Sequence, residues 1–172
     1  TLAQFERLFT IGIEKVAVNA AAVGDMNLVT QAARVFGSQS IVVGIDVRRS
    51  LFGRYERHVR SATVGTKETA VEAAVRAEAA GAGELMLTSV DRDGTQQGYD
   101  LTLVQEVASA VQVPAIACGG AGSTAPRAQV IKQGHAASAA AGSLFVFQGK
   151  HRAVLITYPD EKEIDAALAA LN

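Results

Sequence analysis

The sequence has no tryptophan and a single cysteine, Cys118, so an internal disulfide is excluded and a reducing compartment is expected. It lacks a charge excess of either sign. Sixteen basic against seventeen acidic side chains leave a formal net charge of -1, which gives no overall pull toward nucleic acid or an anionic membrane. It also lacks any apolar run near the roughly 18–20 residues that a bilayer crossing needs, and no leader-like segment precedes the first helix pattern. A cytoplasmic protein is the expectation. The three histidines, His58, His135 and His151, are scattered without metal-ligand spacing, so neither a metal nor another cofactor is expected. What is present is a 49% hydrophobic content over 172 residues, drawn from Ala, Val, Leu and Ile, enough for one packed domain.

Short apolar runs alternate with amphipathic helix patterns. Leu2, Phe5, Leu8 and Phe9 share one helical face that ends at Gly12. Because Thr1 rather than Met opens the chain directly inside this pattern, an upstream segment is expected. Lys15–Asn19 reads as a strand, followed by a helix capped by Asp25 and carrying Leu28, Val29, Ala32 and Phe36. Ile41–Asp46 is a β-branched strand ending on a carboxylate, and a longer basic connection is expected from Val47 to about Gly65. Val71, Ala74, Val75 and Ala79 predict the inner stripe of the next helix. Strands are expected at Glu84–Ser89, Pro114–Cys118 and, weakly, Ala137–Ala141. The intervening helices are capped by Asp100 and opened by Ser123, and Asp160 with Glu163 predicts a capping box for a last helix through Leu171. About five helix–strand units, one parallel strand each, make an α/β chain. An open doubly wound sheet and a (β/α) barrel both fit, and the barrel is favoured because polar residues gather at the strands' carboxyl ends.

Asp46 at a strand tip suits proton transfer, although a loop-capping aspartate fits the position equally well. Asp91-Arg92-Asp93-Gly94 sets two carboxylates around a guanidinium, and strand-like alternation would aim Asp91 and Asp93 to one side; an ordinary Asx turn accounts for part of the pattern. Gly119-Gly120-Ala121-Gly122-Ser123 opens a helix, where exposed amides favour an anion. Gly142-Ser143 ends the next strand, and in barrels the last two strand loops commonly bind phosphate. Cys118 reads as a small packed residue rather than a nucleophile. Arg48, Arg49, Arg54, Arg57, His58 and Arg60, with Phe52 and Tyr55, read as a solvated, mobile loop over an anionic substrate rather than as a nucleic-acid patch.

GSQSIVVGIDVRR, GAGELMLTSVDRDGTQQGYD, VPAIACGGAGS and AAGSLF closely resemble the cyclase subunit of imidazole glycerol phosphate synthase and its near relatives. The resemblance implies a (βα)8 TIM barrel that takes ammonia from a glutaminase partner, as a heterodimer. It also implies conversion of a bisphosphorylated ribulosyl aminoimidazole to imidazole glycerol phosphate and an aminoimidazole carboxamide ribotide, in histidine biosynthesis. Asp46 would be one of two catalytic aspartates. Gly120, Gly142 and Ser143, beside Gly119, match one phosphate site. Asp93 and Gly94, with Thr88 nearby, match the other end of the substrate, and Asn19 a further substrate contact. Lys15 and Glu84 match the charged ammonia gate at the opposite rim. Measured against the family, the sequence begins near the third helix, so residues 1–172 would form a single, amino-terminally truncated barrel domain. It would lack roughly the first three strands and one catalytic aspartate, and should not complete acid–base catalysis by itself. Ala20 stands where the family has a hydroxyl, Cys118 replaces a serine, and GSLFVFQGKHRAVLITYP is similar to a paralogous branch. That branch serves acetamidino-sugar synthesis for surface polysaccharide. A third possibility is a non-catalytic, phosphate-binding scaffold.

Overall fold

Two hydrophobic periods run through the chain, and each forms the element that its spacing demands. The computed structural model describes residues 1–149 and 151–170. Among these, the chain order is α1 (Leu2–Thr10), β1 (Val16–Val18), α2 (Ala20–Gly24), α3 (Met26–Phe36), β2 (Ile41–Arg49), β3 (Tyr55–Val59), β4 (Val64–Thr69), α4 (Ala70–Ala79) and β5 (Glu84–Ser89). Then come α5 (Leu101–Ala108), β6 (Ala115–Cys118), α6 (Thr124–Lys132), β7 (Ser138–Ala139), α7 (Ser143–Val146), β8 (Phe147–Gln148), β9 (Ala153–Val154) and α8 (Glu161–Ala169).

Strands β1, β2, β5, β6 and β7 are parallel and pair in the order in which they occur, through Val16↔Ile41, Val42↔Glu84, Leu85↔Ala115 and Ile116↔Ser138. A doubly wound sheet reverses its strand order partway across; this one does not. With right-handed crossovers, an unreversed order places successive helices on one face. The result is an α/β fold whose winding is that of the (βα)-barrel class.

Alternation within each strand separates two faces. Ile41, Val43, Ile45 and Val47 of β2, with Leu85, Leu87 and Ala117, are buried against Val29 and Ala32 of α3, Leu103, Val104 and Val107 of α5, and Val130 of α6. Burying each such aliphatic side chain stabilises by about 1.5–3 kcal/mol, so this face holds the fold together. The other face carries Asp46, Glu84, Met86, Thr88, Ile116 and Cys118, all only partly buried. Helix α4 meets the core with Ala70, Ala73, Ala74 and Ala77; of the expected stripe, Ala74 is fully buried and Val71 packs against the core, whereas Val75 is 43% exposed. Alanines let the helix lie close to the sheet. Its start is fixed by a capping box, in which the Thr69 hydroxyl accepts from the Glu72 amide and the Glu72 carboxylate accepts from that of Thr69.

The expected basic connection from Val47 to Gly65 is instead structured. Strand β2 runs past Asp46 to Arg49, so Asp46 does not end it, and β3 pairs antiparallel with it through Asp46↔His58 to Arg49↔Tyr55. β4 then pairs with β3. The period-two burial of β3 is disguised because one of its buried positions is Arg57, which is fully buried rather than solvated. β1 and β3 share one edge of β2, at residues 41–43 and 46–49 respectively. Arg57 reaches the stretch between them, where Nη2 donates to the Gly44 carbonyl at 3.4 Å. Its Nη1 donates to Glu68 at 3.3 Å, and Glu68 also accepts from Arg76 of α4 at 2.7 and 2.8 Å. Burial pushes the Arg57 guanidinium down from its usual range, and Glu68 opposes that shift.

The last helix starts at the Asp160–Glu163 capping box as expected; its expected end at Leu171 lies outside the described residues. Among the described residues, no helix is long and apolar enough to cross a membrane.

Candidate functional site

Strand register sets the site. Asp46 pairs across to Thr88, and Thr88 to Cys118, so three side chains of the partly buried face form one row near the carboxyl ends of β2, β5 and β6. The Thr88 side chain hydrogen-bonds Cys118. Burial pushes the Cys118 thiol up, reinforced by the carboxylates of Asp93 and Asp46, while Thr88 and the Gly119 amide pull it down. Half-buried and with its thiol pushed up, Cys118 fits the small packed residue expected of it.

Asn19 follows β1 at the far end of this row, its side chain against Gly44 and its Oδ1 buried without a protein partner. It sits four strand spacings from the residues after β7, about 19 Å along the sheet.

The loop after β5 is laid across the tips of β6 and β7. Amides of Arg92 and Asp93 donate to the Ser89 carbonyl, turning the chain at once. The turn separates the two acidic side chains that strand alternation would have aligned. Asp91 accepts from the Arg49 amide at 2.8 Å and pairs with Arg48 at 3.3 Å, whereas Asp93 points to the glycine loops. Further along, the Gly98 amide donates to the Gly120 carbonyl at 2.7 Å, Gln96 Nε2 to the Ser143 carbonyl at 3.2 Å, and the Tyr99 hydroxyl to the Ala140 carbonyl at 2.9 Å. Gly120 has φ of +103°, and a Cβ there would overlap the Gly98 carbonyl oxygen; no other residue permits this approach.

These contacts enclose a cavity of about 20 Å³ lined by Asp93, Gly94, Cys118 and residues 119–121 and 140–143. That is room for one small group rather than a whole substrate. Asp93 and Gly94 were expected at the opposite end of a ligand from Gly120 and Ser143. The structure instead joins them in one cavity, with Gly94 facing Ser143 Oγ. Asp46 does not line it and lies two strands from Cys118, about 10 Å away.

At the amino ends of the strands, Lys15 and Glu84 form an ion pair on the same face as Asp46. Four residues of β2 separate the two levels, about 13 Å. His135 and His151 are exposed, whereas His58 is partly buried beside the Ala62 carbonyl at 3.2 Å. Among the described residues, no group of three or more His, Cys, Asp or Glu could hold a metal.

Sequence reasoning missed Gln96 and Tyr99, which tie the β5 loop down, and Arg152. Arg152 lies in the β8–β9 turn, and its Nη1 donates to the Gly94 carbonyl at 3.0 Å. The sixfold run of turn formers and polar residues from Asp93 to Gly98 signalled a loop, but no local pattern signalled what it would rest on.

Residues 1–152 match the family described as "Histidine biosynthesis protein". The chain is 47% identical over 165 residues to the Pseudomonas aeruginosa protein "Putative imidazole glycerol phosphate synthase subunit hisF2", covering 96% of this chain and 66% of that protein. It is 43% identical over 145 residues to "Imidazole glycerol phosphate synthase subunit HisF" of Alkaliphilus metalliredigens, covering 84% and 58%. It is 40% identical over 169 residues to "Putative imidazole glycerol phosphate synthase subunit hisF3" of Vibrio vulnificus, covering 98% and 65%. The chain thus spans just under two thirds, or less, of these relatives' own lengths.

Proposed function

This chain belongs to the histidine biosynthesis protein family, and from that premise we propose that it is part of a cyclase subunit of the imidazole glycerol phosphate synthase type. In this reading residues 1–172 form one domain, and the five parallel strands are five of the eight in a (βα)8 barrel. The unreversed strand order supports this, as do the two edges that β1 and β7 leave for further strands. The substrate is a bisphosphorylated ribulosyl aminoimidazole, and the products are imidazole glycerol phosphate and an aminoimidazole carboxamide ribotide. Ammonia comes from a glutaminase subunit in the cytoplasm.

The observation that carries the reading is the register that aligns Asp46 and Thr88 with the tips bearing the glycine cavity. Asp46 gives and takes protons, with a second aspartate on a barrel strand beyond this sequence. Gly94, Gly119, Gly120, Gly142 and Ser143, beside Asp93, hold one phosphate by backbone amides and the Ser143 hydroxyl. Asn19, at the other end of the row, meets the second anionic end of an extended substrate, with Thr88 between. The Lys15–Glu84 pair gates ammonia at the amino ends of the strands, and the 13 Å along β2 is its path to Asp46.

The test uses the full-length protein that contains this sequence, supplied with ammonia and the bisphosphorylated ribotide. Asp46→Asn should cut turnover by about 10²–10⁴-fold with an unchanged circular dichroism spectrum. Unaltered turnover removes Asp46 from the mechanism.

One observation favours a second reading, the paralogous subunit that passes ammonia to an acetamidino-sugar enzyme. The matched family region ends at residue 152, inside the β8–β9 turn. Relatives bearing the subunit designations hisF2 and hisF3 align over 96% and 98% of the chain. Glutaminase-dependent amidination of a nucleotide sugar, with no turnover of the ribotide, would select it. Phosphate binding with neither activity would select a scaffold.

A further inference from the structure

The cavity proposed to hold a phosphate has a deficit. Among its lining residues the only ionisable groups are the Asp93 carboxylate and the Cys118 thiol, and no lining residue is a cation. An anion entering there meets glycine amides and a like charge. Three arginines lie on segments that adjoin it: Arg92 in the β5 loop, Arg127 in α6 and Arg152 in the β8–β9 turn. Arg92 donates to the Gln97 carbonyl at 3.4 Å, and Arg127 lies 6.0 Å from the Phe145 ring centroid; neither partner lines the cavity. Arg152 alone of the three is bonded to a cavity residue, through Gly94.

Arg152 is held in place rather than merely nearby. The turn closes with the Arg152 amide donating to the Gly149 carbonyl at 3.0 Å, and Arg152 takes φ of +51°. That left-handed conformation is disfavoured for a residue with a side chain, so the turn sets the direction of its side chain against local preference. The guanidinium then lies 4.5 Å from the Phe147 ring centroid, within cation–π range. One face is spent on the ring and one N–H on Gly94. The guanidinium carries five N–H donors in a planar fork that fits phosphate oxygens two at a time.

We propose that Arg152 is a specificity-determining residue: its guanidinium pairs with the phosphate monoester seated against Gly94, Gly120 and Ser143, and the β8–β9 hairpin is the arm that delivers it. This rests on the phosphate reading of the cavity. It adds that the group bound is a dianion requiring a forked cation, which glycine amides alone do not supply.

The test uses the full-length protein, inorganic phosphate as probe, and the amide resonances of Gly120 and Ser143 as local reporters. Wild type should show saturable shifts of both. Arg152→Gln should weaken this binding about tenfold. Arg152→Lys should fall between, because it keeps the charge and loses the fork. Melting temperature should be unchanged, since Arg152 is exposed. Wild-type affinity in Arg152→Gln overturns the inference and leaves the cavity reading standing. Absence of phosphate-dependent shifts in wild type sinks the cavity reading itself, and Arg152 with it. If Arg152→Gln disturbs the amide spectrum beyond the hairpin, Arg152→Lys decides: affinity equal to wild type refutes the fork, and a loss with an intact spectrum supports it.

Discussion

The Arg57–Glu68–Arg76 group, in which Arg57 alone is fully buried, makes an asymmetric prediction. Glu68 is shared: Arg57 donates to it at 3.3 Å from a fully buried position, and the more exposed Arg76 donates twice, at 2.7 and 2.8 Å. Glu68→Ala leaves Arg57 with only the 3.4 Å bond to the Gly44 carbonyl, a cation without a counter-ion in the core. Removing one partner of a buried pair costs about 3–5 kcal/mol. Arg57→Met is different. It removes the buried charge and its desolvation penalty, and it leaves Glu68 held by Arg76. The lost charged hydrogen bonds and the relieved desolvation are each a few kcal/mol and opposite in sign, so the net change should lie within about 1.5 kcal/mol of zero. In urea, with a slope of about 2 kcal/mol/M, Glu68→Ala should lower the unfolding midpoint by about 2 M and Arg57→Met by less than about 1 M. The sharper readout is the double variant. If the cost of Glu68→Ala is the stranded cation, adding Arg57→Met should raise stability above that of the single Glu68→Ala variant. A double variant less stable than Glu68→Ala would mean that Arg57 stabilises by packing rather than through its ion pair, and the reasoning would fail.

Tyr55 and Tyr99 are both pushed up to about 12 from an ordinary value of 10, chiefly by burial, Tyr55 also by its 2.8 Å bond to Asp100. A raised folded value means that the stability they contribute is fully present below pH 10 and is lost as pH rises through 12; absorbance at 295 nm should therefore show their ionisation coinciding with alkaline unfolding in that window, and a simple titration near 10 would contradict it. Gly120→Ala should cost about 2–4 kcal/mol, from the positive φ and the overlap with the Gly98 carbonyl, whereas Gly142→Ala, with nothing within 4 Å, should change the melting temperature little; equal effects would refute the packing account of the loop. Cys118, with its thiol pushed up, should react slowly with iodoacetamide at pH 7–8 and quickly in urea; fast alkylation of the native protein would show an accessible thiolate.

What the sequence could reveal divides along a physical line. Elements fixed by local chemistry were legible: Glu84–Ser89 forms β5 as expected, and the Asp25, Asp100 and Asp160 caps each start a helix. A cap needs only a side-chain oxygen and an amide a few residues on, so its information is local. The tip of β6 was legible for the same reason, with Gly119 directly after it, whereas β2 runs on past Asp46 to Arg49 and β7 stops at Ala139, short of the expected Ala141. The β3–β4 hairpin was not, because its buried positions include a charge whose partner is eleven residues away. A fully buried arginine inverts the sign of the hydrophobic pattern that reveals a strand.

The grouping of Asp93 with Ser143 was hidden for a further reason. Along the chain they are fifty residues apart, and nothing in either segment specifies the other. Their meeting depends on a loop crossing two strand tips, which requires that the residues after β6 carry no side chain where the loop passes. Gly120 and Gly122 supply that condition, since a Cβ on either would overlap a carbonyl of the crossing loop, that of Gly98 or Gln96. In the phosphate reading proposed above, the glycine cluster would serve two ends with one feature. The same absence of side chains that exposes amides to an anion admits the loop that brings Asp93 and Gly94 to it. Read singly, such a cluster is weak evidence for a phosphate site, because close backbone packing alone would demand it. The two demands can be separated at Gly142: a Cβ there would meet nothing within 4 Å, so close packing does not require a glycine at that position of the cavity wall.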